Sequence, residues 1–290
     1  MRLRAADGYE LGGVFFAARS AGVPQRVAVL HAGAGIPALR YRHFARYLAE
    51  HGISVLTYDY RGIGRSRPGQ MRGFGASVED WAELDCAAAI GWISERFPAA
   101  EKIGISHSIG ALLFGGAHNA GELDRLLLVG AHTGYYGDYR PLYRLPMALL
   151  WHVVMPLMTW AMGYFPARRL GLGDDIPARV AMQWAGRYAA DVTPLEAGPE
   201  HDRTRRLLNR CAALERPVQL VTVSDDPFAT VASATRLLSS YYPRLLPRQH
   251  IVVTPAEAGV HRLGHFGVFS RAAAGVWPRL LALIDTKPQP

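Results

Sequence analysis

Only two cysteines occur among 290 residues, Cys86 and Cys211. They stand far apart and in no metal-ligand or redox spacing, which argues against a disulfide framework or a cysteine metal centre and leaves two free thiols. Clustered basic charge is lacking as well. The 32 lysines and arginines give a net charge of +8, but they are scattered, with a local concentration only at Arg203 to Arg206 and Arg210. Without an aromatic-interleaved basic run, no nucleic-acid partner is expected. The start, MRLRAADGYELGG, has no apolar signal-peptide core, so a cytoplasmic protein is expected. No internal repeat or low-complexity segment occurs, and only the final TKPQP reads as a loose tail.

What is present is apolar sequence: half of the residues, in a chain long enough for one large core with an inserted subdomain. LRAADGYELGGVFFAA holds two alternating runs about an Asp-Gly turn, a hairpin signal. An alternating order follows. RVAVLHA reads as a buried strand, ALRYRHFARYLAEHG as a helix ending at glycine, and ISVLTYD as a second strand. Ser77 and Asp80 make a capping box for a helix to about Phe97, and KIGIS, a helix from Ile109 and the strand RLLLVGA come next. The alternation stops near Gly134 and resumes with PVQLVTVS, a helix near Val231 to Tyr242, the strand HIVVT and a last helix from Ser270. Strands alternating with helices at these lengths predict a parallel sheet covered on both faces.

Between the two alternating parts lies a helical insertion rich in tryptophan and methionine, without obvious strands. Its stretch Leu145 to Ala167 carries no formal charge and is long enough to cross a bilayer. Pro146, Pro156 and Pro166 are expected to break it into two half-length helices too short to span, so no transmembrane segment is expected.

The segment GISHSIGALLFGG runs a strand into a small-residue helix at Ser106-His107-Ser108-Ile109-Gly110. A sharp turn there lifts Ser108 above the carboxyl ends of the strands. It needs small residues two positions to either side, a need that Gly110 meets fully and Ser106 nearly so. The Ile109 amide and the positive end of the helix would face an anion formed beside Ser108. A serine hydroxyl needs a base to take its proton, and that base needs an orienting acid. VTVSDDPFAT places Asp225 and Asp226 just after a strand, and HRLGHFGVF places His261 and His265 after the final one. Serine, acid, histidine is the chain order such an architecture requires.

Over nearly its whole length the chain resembles the alpha/beta-hydrolase family. LTYDYRGIGRS looks like that family's signature DxRGxGxS, and VLHAGAG occupies the place of its His-Gly oxyanion loop. GYFPARRLGLGDDIP, SDDPFA and LGHFGVF are similar to a bacterial predicted-hydrolase subgroup related to serine aminopeptidase-like and lysophospholipase-like members. The resemblance implies an α/β fold with a mostly parallel eight-stranded sheet and a helical cap, and neither cofactor nor metal. The core is expected at 1–134 and 214–290 and the cap at 135–213. Carried onto this sequence, Ser108 would be the nucleophile and His265, in GHFG, the general base and then acid. Asp226 would be the orienting carboxylate because DPFAT resembles the family's DPxVP, with Asp225 as the alternative. The oxyanion donors would be the amides of Ile109 and Gly33, with Ala34 as runner-up. His31 and His107 are read as structural, and Asp59 and Arg61 as fixing their loop. Two departures stand out: Ser106 where the family prefers glycine, and His-Ala-Gly in the oxyanion loop.

The implied activity is hydrolysis of a small carboxylic ester. Trp151, Met155 and Met158 of the cap would line a pocket for its apolar part. A peptidase or acyltransferase on the same residues, or a non-catalytic ligand-binding scaffold, are the other readings, and fold alone does not separate them.

Overall fold

The computed structural model describes residues 1–19, 22–186 and 201–286. Its first two strands, β1 (Arg2–Arg4) and β2 (Glu10–Phe16), form the expected antiparallel hairpin. Then come β3 (Arg26–His31), α1 (Arg42–Glu50) and β4 (Ser54–Tyr58). The Ser77 capping box opens α2 (Val78–Asp80), which continues through a π-helical stretch into α3 (Ala87–Arg96). β5 (Glu101–His107), α4 (Gly110–Leu113) and β6 (Arg125–Val129) complete the first half. The insertion holds α5 (Pro141–Leu149), α6 (Met155–Met162), β7 (Tyr164–Phe165), β8 (Ile176–Pro177) and α7 (Ala178–Ala185). After α8 (His201–Ala213), the order closes with β9 (Pro217–Val223), α9 (Val231–Tyr241), β10 (Leu246–Val253) and α10 (Trp277–Asp285).

Eight strands form one sheet in the order β1-β2-β4-β3-β5-β6-β9-β10, parallel from β4 to β10. All five residues of β4 are buried, as are Val27 to Leu30 of β3, the continuous apolar burial of strands covered on both faces. This is the alpha/beta-hydrolase fold. β3, β5, β6 and β9 are neighbours and parallel, so the loops leaving their carboxyl ends converge over the centre of the sheet.

The segments carrying the family resemblance have physical work in this frame. Asp59 accepts hydrogen bonds from the amides of Ala38 (2.6 Å) and Arg65 (2.9 Å), tying two loops together. Gly64 has φ +49°, and a Cβ there would sit 2.5 Å from Asp59 Oδ2, so no side chain fits. Arg61 donates to the fully buried Asp85 from its backbone amide (2.8 Å) and Nε (2.7 Å), and to Asp7 from its guanidinium at 2.6 Å. Burial pushes the Asp85 carboxyl up, and Arg61 is the first group opposing that. Arg61→Ala should therefore destabilise the fold by about 3 kcal/mol or more in denaturant titrations, since it strands a buried carboxyl. Adding Asp85→Ala should cost less than the two single changes summed. Cys86 and Cys211 are free and buried.

Three features of the insertion depart from expectation. Pro141–Met162 is one continuous 22-residue helix, not two halves. A π-helical turn at Leu150–Val154 directly precedes α6 and widens the backbone where the Pro156 ring would strike the carbonyl four residues back. The helix ends only at Gly163, in the left-handed conformation. The proline argument against a span therefore fails: by length and composition this helix could cross a membrane. Its outer row, Leu142, Leu145, Leu149, Val153, Leu157 and Trp160, is exposed. Second, β7 and β8 pair as a short antiparallel ribbon where no strand was expected. Third, α8, inside the expected cap segment, docks on the core: Arg203 bonds Asp80 and Glu83, and Thr204 bonds Glu79 at 3.0 Å.

Candidate active site

Ser108 has φ 55°, and it is the only non-glycine residue with positive φ among the described residues. The strained turn lies between the end of β5 and the start of α4, where it raises the side chain above the sheet. Gly110 makes this possible, since a Cβ there would fall 2.4 Å from the His31 carbonyl oxygen. Ser106, the departure from glycine, is fully buried and fits.

The structure brings Ser108, His265 and Asp226 together. Ser108 Oγ lies 2.9 Å from His265 Nε2, and His265 Nδ1 lies 2.7 Å from Asp226 Oδ2. The other Asp226 oxygen accepts from the amides of Phe228 (2.8 Å) and Ala229 (3.0 Å). Burial opposes ionisation of Asp226, but the adjoining His265 and the two amides outweigh it and hold the carboxyl down at about 2. The carboxylate therefore stays an acceptor, and His265 carries its proton on Nδ1 with Nε2 facing the serine. Asp225 does different work. Its carboxylate accepts from the amides of Leu263 (3.0 Å) and Gly264 (2.9 Å) and so fixes the loop that carries His265. His261 is exposed and outside this arrangement.

Residues 22–244 match the family profile described as serine aminopeptidase, S33. The chain belongs to that family of alpha/beta hydrolases. It is similar to a monoacylglycerol lipase of Mycolicibacterium smegmatis, with 33% identity over 119 residues, 38% of this chain and 41% of the lipase. The match thus spans about two fifths of that relative's length. Among solved structures it resembles an esterase of Pyrococcus furiosus (TM-score 0.60, 14% identity, 98% of this chain and 88% of the other). It also resembles a thermophilic esterase of Thermogutta terrifontis (0.61, 13%, 98% and 97%). A monoacylglycerol lipase of Paleococcus ferrophilus gives a TM-score of 0.54 at 15% identity, over 94% of this chain and 99% of the lipase. At such identities these likenesses speak for the fold.

Like Ser108, Ala34, Trp151 and Met155 line a cavity of about 580 Å³ between the cap and the carboxyl ends of the strands. Four expected site residues are not among its lining: Asp226, which lies behind His265, Ile109, at the start of α4, and also Met158 and Gly33. Met158 is half-buried against the core, because the inward stripe of α6 runs through Met155 and Thr159, four residues apart. Gly33 is turned away: its amide donates to Tyr41 Oη at 2.9 Å. Burial keeps the Tyr41 hydroxyl protonated, and it donates to His107 Nδ1 at 2.8 Å. His107 Nε2–H in turn donates to the His265 carbonyl at 2.9 Å. Burial holds His107 at about 3, with His265 adding to the effect, so His107 is a neutral link from the oxyanion loop to the backbone of His265. Burial likewise holds His31 at about 3, and its Nδ1 contacts Tyr58 Oη at 2.7 Å.

Sequence reasoning missed His132. It stands three residues beyond β6, and its Nε2 is 3.2 Å from Ser108 Oγ. The available signal was topological. β6 lies beside β5, so a histidine just past the end of β6 emerges next to the serine just past the end of β5.

Proposed function

We propose that this chain is a serine hydrolase that cleaves carboxylic esters bearing an apolar acyl group, through an acyl-enzyme. The observation that carries the reading is the continuous hydrogen-bonded run Asp226, His265, Ser108 opening into the cavity. Ser108 Oγ attacks the ester carbonyl while His265 Nε2 takes its proton. The tetrahedral oxyanion is held by the amide of Ile109, at the start of α4, and by that of Ala34, a cavity-lining residue, since the Gly33 amide is taken by Tyr41. His265 then protonates the departing alcohol, and water, deprotonated by the same imidazole, releases the acid.

An aminopeptidase would need an anionic group to hold the substrate's ammonium. Among the described residues lining the cavity there is no aspartate or glutamate, whereas Arg40, Arg42 and Arg271 are present. This favours an ester over an amino-terminal peptide. The deciding experiment is labelling by a fluorophosphonate probe, lost in Ser108→Ala, combined with a panel of esters, amino-acid amides and alcohol acceptors. Turnover confined to the amides would replace the ester reading with the peptidase one. Transfer to alcohols exceeding hydrolysis would replace it with acyl transfer, and labelling of no residue with a scaffold.

Acyl-chain preference follows from the cavity wall, where Met147, Leu150, Trp151, Met155, Phe165 and Trp184 present apolar surface. From acetate to decanoate, kcat/KM should rise by up to about 0.8 kcal/mol per buried methylene until the cavity is full. Met155→Gln should flatten that rise, while Met158→Gln, outside the lining, should leave it intact. A profile that is flat in the unmodified protein would remove the apolar acyl group from the proposal.

A further inference from the structure

Ser108 Oγ touches two histidines, and the second, His132, has a fixed tautomer. The backbone amide of Gly134 donates to His132 Nδ1 at 3.0 Å, so Nδ1 carries a lone pair. A neutral imidazole that accepts at Nδ1 has its proton on Nε2, the nitrogen 3.2 Å from Ser108 Oγ. His132 is buried, lines the same cavity, and meets His265 edge-on with ring centroids 5.2 Å apart. We propose that His132 is a further catalytic residue, a fixed hydrogen-bond donor to the serine oxygen that never exchanges its own proton. The inference rests on the reading of Ser108 as nucleophile.

The hydroxyl has one proton and two lone pairs. The proton points to His265 Nε2 at 2.9 Å, and His132 Nε2–H occupies one lone pair. The remaining lone pair is the one left for the ester carbonyl, so the two histidines together set its direction. As the proton passes from Ser108 Oγ to His265 during attack, negative charge grows on Oγ and the bond from His132 becomes charge-assisted. In deacylation Oγ is the leaving group, charge returns to it, and the same N–H stabilises it until His265 gives the proton back. His132 is unsuited to serve as the base itself. Protonating Nδ1 would break the Gly134 bond, and Nε2 already carries its hydrogen. A backbone donor at this position would do the same work, but the amides of Ile109 and Ala34 are assigned to the carbonyl oxygen, not to Oγ.

The two isosteric amides separate this role from a structural one. In His132→Gln the side-chain nitrogen has the reach of Nε2 and keeps a donor on Ser108 while giving up the Gly134 contact. In His132→Asn the side-chain oxygen has the reach of Nδ1 and keeps the Gly134 contact while leaving Ser108 without the donor. Asparagine should lower both kcat for a short ester and the rate of fluorophosphonate labelling by about tenfold to a hundredfold, with KM little changed. Glutamine should recover most of the loss. The reverse ranking, equal activity in both, or an effect confined to KM would overturn the proposal and leave His132 as loop structure or pocket wall. A measurement on the unaltered protein holds even where a variant does not fold. Nitrogen-15 spectra should show the His132 proton on Nε2 alone near neutral pH, and a proton on Nδ1 would overturn the assignment. If the probe fails to label Ser108 in the unaltered protein, the nucleophile reading falls first, and this inference with it.

Discussion

Ser108→Ala should abolish ester turnover, by on the order of a million-fold as when a comparable nucleophile is deleted, while leaving the melting temperature close to that of the unaltered protein. The reason is specific to the hydroxyl. Alanine fits the same turn, Gly110 still passes the His31 carbonyl, and His265 keeps its Asp226 partner. Only the reacting oxygen is lost, and with it both histidine contacts. Because alanine, like serine, must adopt the left-handed φ of 55°, backbone strain is unchanged and stability is not a confounder. Ser106→Ala is the matched control. Its hydroxyl is buried and has no hydrogen-bond partner among the described residues, so its removal deletes an unsatisfied polar group and should leave kcat nearly unchanged. Should a folded Ser106→Ala protein be silent while Ser108→Ala still turns over, the nucleophile would have to be reassigned.

How much of this was legible in the sequence follows from the range over which each determinant acts. The parallel core strands were readable because burial on both faces writes a continuous apolar run, as in VAVL at Val27 to Leu30. The turn at Ser108 was readable because steric crowding allows few side chains at Gly110. The continuous cap helix was not. A proline ring is a local signal, whereas the π-helical turn that accommodates Pro156 involves a whole turn of backbone upstream of it. The orientation of Gly33 was hidden for a related reason. Its amide is claimed by the hydroxyl of Tyr41, a residue on the following turn whose reach back to the loop depends on the packing of both against His107. His132 escaped because a loop histidine has no local mark of function, and the contact with Ser108 exists only once β5 and β6 lie side by side. The four-residue length of α4 is a further case. Gly115 and Gly116 admit Tyr242 and Leu207 so closely that a Cβ would fall 2.5 Å from each, and the chain turns away there.

Asp226→Asn should reduce kcat by roughly ten-thousand-fold, whereas Asp225→Asn should cost tenfold or less. The two residues are adjacent and chemically alike, so the difference comes entirely from what each oxygen meets. Asp226 Oδ2 accepts from His265 Nδ1 at 2.7 Å, while Oδ1 is already taken by the amides of Phe228 and Ala229. An asparagine here would keep its carbonyl oxygen on those amides and turn its NH2 toward His265. The imidazole would then have to accept at Nδ1 and hold its proton on Nε2, facing Ser108 with a donor where a base is needed. The active tautomer is disfavoured while the geometry survives, so KM and stability should move little and kcat should carry the loss. Asp225 instead holds the amide of Leu263 on one oxygen and that of Gly264 on the other, so an asparagine keeps one of these bonds and loses the other. Its replacement loosens the loop beneath His265 without changing which imidazole nitrogen bears the proton. Steady-state kinetics on one soluble ester, with thermal unfolding run alongside, separates the two. If Asp225→Asn showed the larger loss at unchanged stability, the orienting role would belong to Asp225, and the 2.7 Å contact at Asp226 would be structural only.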